Sequence, residues 1–404
     1  MIWQIFTRFF VLGWVSFGGP AAHIGYFRRT FVSELNWLDD RHYASIVALS
    51  QFLPGPSSSQ IGFAIGYHRG RITGAIAAFL GFTLPSFLLL YLMAVTSSIW
   101  LESSLFQGAV HGLKLLAVVV VADAVTAMFQ QFCQRAEARG IMLGAAVVIL
   151  LWPVMAVQLF ILIGGALLGW WLLGDRMGRG VHVARNVAAE PMYETSYDTS
   201  EGVSASVPVR WGYVLIFTLL LLFALTTAYS DSLAGLFGQF YQTGALVFGG
   251  GHVVLPLLQT AVAGELSADR FMLGYALAQA VPGPMFTLAT FLGAEMWLSY
   301  PLLGAIVATL AIFLPGFLLL LAFMQAWHSL AQRPNIAAIV AGINAAVVGL
   351  LLAALYQPVF LSGVLTATDM ALVLLGFGLL KLRRVHIVLL VAGFAVVGMM
   401  LVGL

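Results

Sequence analysis

Charge is what this chain has least of. Only 8% of its 404 residues are Asp, Glu, Lys or Arg, against about 25% in an ordinary soluble domain. With 61% hydrophobic residues and a mean hydropathy of +0.99, it cannot be a soluble globular protein and reads as a polytopic all-α membrane protein. The net charge of +2 excludes the basic surface that nucleic acid requires. A single cysteine, Cys133, excludes an internal disulfide and any cysteine-based metal site. There is no His-Glu-x-x-His pair, no glycine loop ending in Lys-Ser/Thr and no Cys-x-x-Cys. No metal, cofactor or nucleotide hydrolysis is therefore expected. Met1-Ile2-Trp3-Gln4 leads straight into apolar residues, so a cleavable signal peptide is not expected either.

The apolar sequence is interrupted where a spanning helix should continue. Gln51-Phe52-Leu53-Pro54-Gly55-Pro56-Ser57-Ser58-Ser59-Gln60 places two prolines around a glycine. Each proline removes a backbone donor and clashes with the preceding turn, and the residue before it leaves helical geometry. A helix must end near Leu53 and another start near Ser57. Flanking stretches of about 11 residues reach only ~16 Å each, too short to cross alone. They read as a re-entrant hairpin, 43–53 with 57–67. Phe17-Gly18-Gly19-Pro20 makes a second break, between 2–17 and 21–33.

Both breaks recur about 230 residues later. Phe248-Gly249-Gly250-Gly251 repeats the first, and Gln279-Ala280-Val281-Pro282-Gly283-Pro284 repeats the proline tip. Asp40-Arg41 matches Asp269-Arg270, and Leu84-Pro85-Ser86-Phe87 matches Leu314-Pro315-Gly316-Phe317. A constant offset indicates duplication. The expected domains are a first repeat over 1–174, a polar linker over 175–210, a connecting span over 211–229 and a second repeat over 230–404. Ordinary spans are expected at 72–97, 104–130, 141–157, 158–174, 302–327, 335–357, 369–382 and 385–403. With both breaks of each half re-entrant, the basic clusters Arg28/Arg29/Arg41, Arg69/Arg71, Arg135/Arg139, Arg176/Arg179, Arg333 and Lys381/Arg383/Arg384 fall on one side, the cytoplasm. The second repeat is then inverted relative to the first, with a cytoplasmic N-terminus and linker and an external C-terminus. Inverted halves with broken helices are an architecture of secondary transporters.

The candidate binding residues cluster at the breaks. Ser57, Ser58 and Ser59 offer hydroxyls and free amides at a helix start that suits an anion, although serine is also an ordinary cap. The counterpart of the second half has one hydroxyl, Thr287, so the halves should contribute unequally. Gly18, Gly19, Gly249, Gly250 and Gly251 allow close backbone approach to a ligand, or tight helix packing, while Gly55 and Gly283 sit at the tips. Pro20, Pro54, Pro56, Pro282 and Pro284 are the structural breaks. His23 and His252 follow the glycine runs and either donate to an anion or serve as buried structure. Gln51 and Gln279 precede the tips and can bond ligand or freed backbone. Lys114 and Asp123 are ionisable residues inside one span. Nine residues at ~100° each place them on opposite faces, so they should find other partners. Glu295 reads as a marker of the external surface.

Phe17-Gly18-Gly19-Pro20-Ala21-Ala22-His23-Ile24, the Pro54-Gly55-Pro56 tip, Phe248-Gly249-Gly250-Gly251-His252-Val253-Val254-Leu255-Pro256 and Gln279-Ala280-Val281-Pro282-Gly283-Pro284 resemble the chromate transporter family in its long, two-domain bacterial form. The resemblance covers nearly the whole chain. It implies a multi-pass protein of the bacterial inner membrane that exports chromate and confers resistance to it, with sulfate as a close analogue. Some members carry an acidic residue where this chain has Gln60. Chromate is a tetrahedral dianion, which two helix starts, hydroxyls and one lysine would suit. The leading expectation is a secondary transporter working by alternating access. An anion channel with the same site is the alternative, and a chromate reductase is disfavoured because Cys133 stands alone. Expected partners are chromate or sulfate, the bilayer and, as one option, a second copy of the chain.

Overall fold

The computed structural model describes residues 1–17, 19–100, 103–187, 209–228, 230–248, 254–327, 334–382, 385 and 387–402. Every regular element among them is helical. Gly18, Gly249, Gly250, Gly251 and His252 lie outside the described residues, as does 188–208 of the expected linker.

The first repeat opens with α1 (Ile2–Val15) and α2 (Gly19–Phe27), which runs on into a π-helical stretch, Arg28–Glu34. Next comes α3 (Asp40–Phe52), started by the Asp39 carboxylate accepting from His42 N–H at 2.7 Å and ended by an extended Leu53. The apolar run α4 (Ser57–Trp100) is two helical arms, because Gly70 and Arg71 leave helical geometry. Only the second arm, from 72, is long enough to cross. Then follow α5 (Ser104–Phe132), α6 (Ala136–Leu151) and α7 (Met155–Val187). Helix α7 continues 12 residues past Asp175, so the helical backbone reaches well into the segment expected to be linker.

After the connecting helix α8 (Trp211–Thr227) the series repeats. Helices α9 (Leu233–Leu246) and α10 (Val254–Val262) flank the second glycine break. Helix α11 (Ala268–Ala280) leads to the second tip, and a 3₁₀ turn at Met285–Thr287 opens α12 (Leu288–Met296). Helices α13 (Pro301–Phe323), α14 (Pro334–Ala354), α15 (Ala367–Leu382) and α16 (Ile387–Val402) complete the chain. Five helical segments of the described residues are long and apolar enough to cross a membrane. The expected spans therefore correspond to helices within a few residues at most ends.

The two repeats make equivalent internal contacts. The α4 arms cross at Gly66 and Gly74, and α12 crosses α13 at Gly293 and Gly304; a methyl on any of these would collide with the facing carbonyl oxygen. Helix α1 packs on α4 as α9 packs on α13. Beyond that the repeats exchange partners. Helices α6 and α7 of the first repeat pack on α14 of the second, whereas α15 and α16 of the second pack on α5 of the first. The crossing glycines match as well: Gly112 meets Gly398, and Gly342 meets Gly169. Neither repeat buries its own last two helices, so they form one interlocked body.

Candidate functional site

Both tips have the backbone that their sequences demand. Gly55 sits at φ +116° and Gly283 at φ +105°, in a region that side chains strain to reach. Flanking extended residues, Leu53 and Val281, end the preceding helices. A glycine between two prolines is the one residue of each tip that keeps an amide, and each amide is used across the repeats. Gly55 N–H donates to the Val247 carbonyl at 2.7 Å, and Gly283 N–H donates to the Ser16 carbonyl at 2.9 Å. Val247 and Ser16 cap α9 and α1, immediately before the Phe-Gly-Gly runs. Each tip thus closes on the helix end that precedes the glycine run of the other repeat.

The second contact is also exchanged, with different chemistry. The first tip lies against Gly316 of the Leu-Pro-Gly run within α13, and Gln60 holds it there, its amide donating to the Pro54 carbonyl at 2.9 Å and to the Gly316 carbonyl at 3.0 Å. The second tip lies against Ser86 of the Leu-Pro-Ser run within α4, while the Thr287 hydroxyl donates to the Pro284 carbonyl at 2.6 Å. Ser57, Ser58 and Ser59 are all buried at the start of α4, and the Ser59 hydroxyl has no partner among the described residues.

Space is found at the second tip. A cavity of about 150 Å³ is lined by Gly19, Asp123, Gln279, Val281, Gly283 and Met285, with Leu380 and Ile387. Water takes ~30 Å³ in the liquid, so several water-sized groups fit. Four residues singled out from sequence, Gly19, Asp123, Gln279 and Gly283, meet here from opposite repeats. Gln279 is half-buried; its amide lies 3.8 Å from the Met285 sulfur and its side chain also meets the Tyr275 hydroxyl, which leaves part of its hydrogen-bonding capacity for a guest. The serines of the first tip, expected to bind, do not line this cavity.

The remaining candidates go elsewhere. His23 is fully buried, its Nε2 3.2 Å from the Ser16 carbonyl oxygen and its ring edge-on to Phe82. It therefore supports the carbonyl that receives the second tip. Gln51 is exposed. Lys114 donates to Asp269 of α11 at 2.8 Å and does not line the cavity. Asp123 lies 2.6 Å from Lys381 of α15, off the hydrogen-bonding directions, so charge holds the pair. Lys114 and Asp123 thus have separate partners, as their helical spacing requires. Glu295 forms a two-pronged pair with Arg270 at 2.8–3.1 Å. Lys381, paired with the cavity-lining Asp123, reads in the sequence only as part of a basic loop; nothing local in the sequence ties it to Asp123.

The profile of the chromate transporter family matches residues 3–170 and 234–399, which are the two repeats without the linker and α8. The chain belongs to the chromate transporter family. It is 28% identical over 360 residues to a chromate transport protein of Pseudomonas aeruginosa, covering 86% of this chain and 79% of that one. It is 26% identical over 399 residues to a chromate transport protein of Cupriavidus metallidurans, covering 98% and 92%. An uncharacterized transporter of Methanocaldococcus jannaschii is 28% identical over 364 residues, covering 87% and 82%. No solved structure matches the chain.

Proposed function

We propose that this member of the family is a secondary transporter that exports chromate from the cytoplasm of a bacterial cell by alternating access and so confers resistance. The observation that carries the reading is the cavity where Gly19 of one repeat meets Gln279 and Gly283 of the other. A guest there touches both repeats, so their relative movement changes its surroundings. The exchanged bonds from Gly55 to Val247 and from Gly283 to Ser16 support two halves related by a two-fold axis in the membrane plane, one inverted relative to the other.

In this arrangement both tip amides are occupied by inter-repeat bonds. The donors left for an oxyanion in the cavity are the Gln279 amide and, beside it, Lys381 on the Asp123 carboxylate. Separation of a tip from the opposite break would release one more amide towards the guest, which ties binding to movement. Sulfate has the same shape and charge and is the alternative substrate.

Chromate uptake into everted membrane vesicles tests the reading. The wild type should accumulate chromate with saturation and against a gradient, and Gln279→Ala should lower uptake at least tenfold with the protein still inserted. Uptake that is unchanged in Gln279→Ala would refute the site. Uptake linear in concentration and never uphill would make the protein a channel.

A further inference from the structure

A larger cavity, about 350 Å³, opens where α3 begins and the two arms of α4 turn, and it shares no residue with the tip cavity. We propose that it is a second binding site for a tetrahedral oxyanion, made by His42, Tyr67, His68, Arg71 and Gln325. The substrate class rests on the transport reading above; the donor set does not.

Several observations converge. The polar groups lining the cavity are Arg71, two imidazoles, a phenol and an amide, all able to donate, and none is a carboxylate. Arg71 is held at φ +54°, a left-handed position that glycine would adopt without strain, and its guanidinium lies beside the Tyr67 hydroxyl. The Tyr67 oxygen accepts from Arg210 of the α8 start at 3.0 Å, which leaves the phenol proton to be donated into the cavity. His42 and His68 stand edge to face, 4.7 Å between ring centres. No carboxylate of the described residues pairs with Arg71 or Arg210. The nearby acid, Asp39, is engaged by the His42 amide at 2.7 Å. The neighbouring Arg69 is turned away onto the Trp37 ring. A forked guanidinium with neutral donors around it is what a tetrahedral dianion needs. Its place outside the tip path suits a site that gathers the ion before it moves inward.

The test uses the purified full chain in detergent without added lipid and sulfate as the probe. Arg71→Gly removes the guanidinium at a backbone position glycine favours, and Tyr67→Phe is a milder second variant. Sulfate affinity should fall at least tenfold in Arg71→Gly and severalfold in Tyr67→Phe. Both losses should persist in a Gln279→Ala background. In vesicles, KM for chromate should rise about tenfold in Arg71→Gly with Vmax kept. Unchanged sulfate affinity in folded Arg71→Gly, or no sulfate binding by the wild type, would overturn the proposal. An effect confined to nanodiscs containing anionic phospholipid would assign the cavity to a headgroup phosphate and overturn it too. If the wild type fails to carry chromate while Arg71→Gly still loses sulfate, the transport reading fails and this site stands.

Discussion

Gly55→Ala should damage the protein out of proportion to the one methyl it adds. At φ +116° a side chain costs about 1–3 kcal/mol of backbone strain. The new Cβ would also lie 2.8 Å from Gly316 Cα and 3.2 Å from the Gln60 amide nitrogen. The closest of these atoms is backbone in the opposite repeat, so the tip itself has to retreat. Retreat lengthens the bonds from Gly55 N–H to Val247 and from the Gln60 amide to Gly316, each worth about 0.5–1.5 kcal/mol. The expected loss is about 2–6 kcal/mol, the upper end only if both bonds are lost outright. Gly25→Ala is the control. Gly25 is exposed on a helix, and a methyl added there would meet no atom within 4 Å. Alanine at that position should be neutral or stabilising by up to about 1 kcal/mol. Thermal melts of the detergent-solubilised variants and vesicle uptake read both effects. Gly55→Ala should melt several degrees below Gly25→Ala and lose transport. Equal melting temperatures would show that the tip does not bear on the other repeat, and the docking argument would fall.

Lys381→Met should raise the KM for chromate severalfold, because an unpaired Asp123 carboxylate beside the cavity repels a dianion. Adding Asp123→Asn should restore most of it, with a stability coupling near the upper end of the surface-pair range, about 1 kcal/mol, because both groups are partly exposed; a single mutant that behaves as wild type would remove Lys381 from the site. Cys133 caps α5 in a fully buried position, where burial pushes its thiol from 9.0 up to about 11 against a smaller opposing pull from Arg139. The thiolate at pH 8 is then about a hundredfold scarcer than in a free thiol, so maleimide labelling followed by mass should be slow in the folded protein and fast in denaturant. Rapid labelling of the folded chain would return thiol chemistry to consideration.

Much of the architecture was legible in residues whose physics is local. The Pro-Gly-Pro runs at 54–56 and 282–284 end a helix because two prolines flank a glycine at positive φ, whereas the single Pro85 and Pro315 stand inside helices, and the lengths of the apolar runs mark which segments are long enough to cross. The boundary of α7 was not legible. Asp175, Arg176 and Arg179 mark the end of apolar sequence, but arginine is a good helix former, and the helix continues to Val187. The exchange of α6 and α7 for α15 and α16 was out of reach for a related reason: apolar faces on these helices are interchangeable in composition, and the glycine pairs that select partners, such as Gly112 with Gly398, are far apart in the chain. Arg71 illustrates the same limit, since its role depends on a backbone angle that arginine rarely adopts.

The tips and the glycine breaks, read separately as candidate ligand contacts, turn out to answer one another. A helix end leaves carbonyls without partners, and a proline pair leaves a lone glycine amide; inside a bilayer neither can turn to water. Ser16 and Val247 end α1 and α9, and Gly283 and Gly55 supply the amides that reach them. Each repeat therefore holds one such amide and one such carbonyl, and each group finds its partner in the other repeat. Duplication of one such unit provides two complementary deficits, and pairing them across the repeats satisfies both. The small residues that this close approach requires are the same ones that leave room for a guest at the second tip.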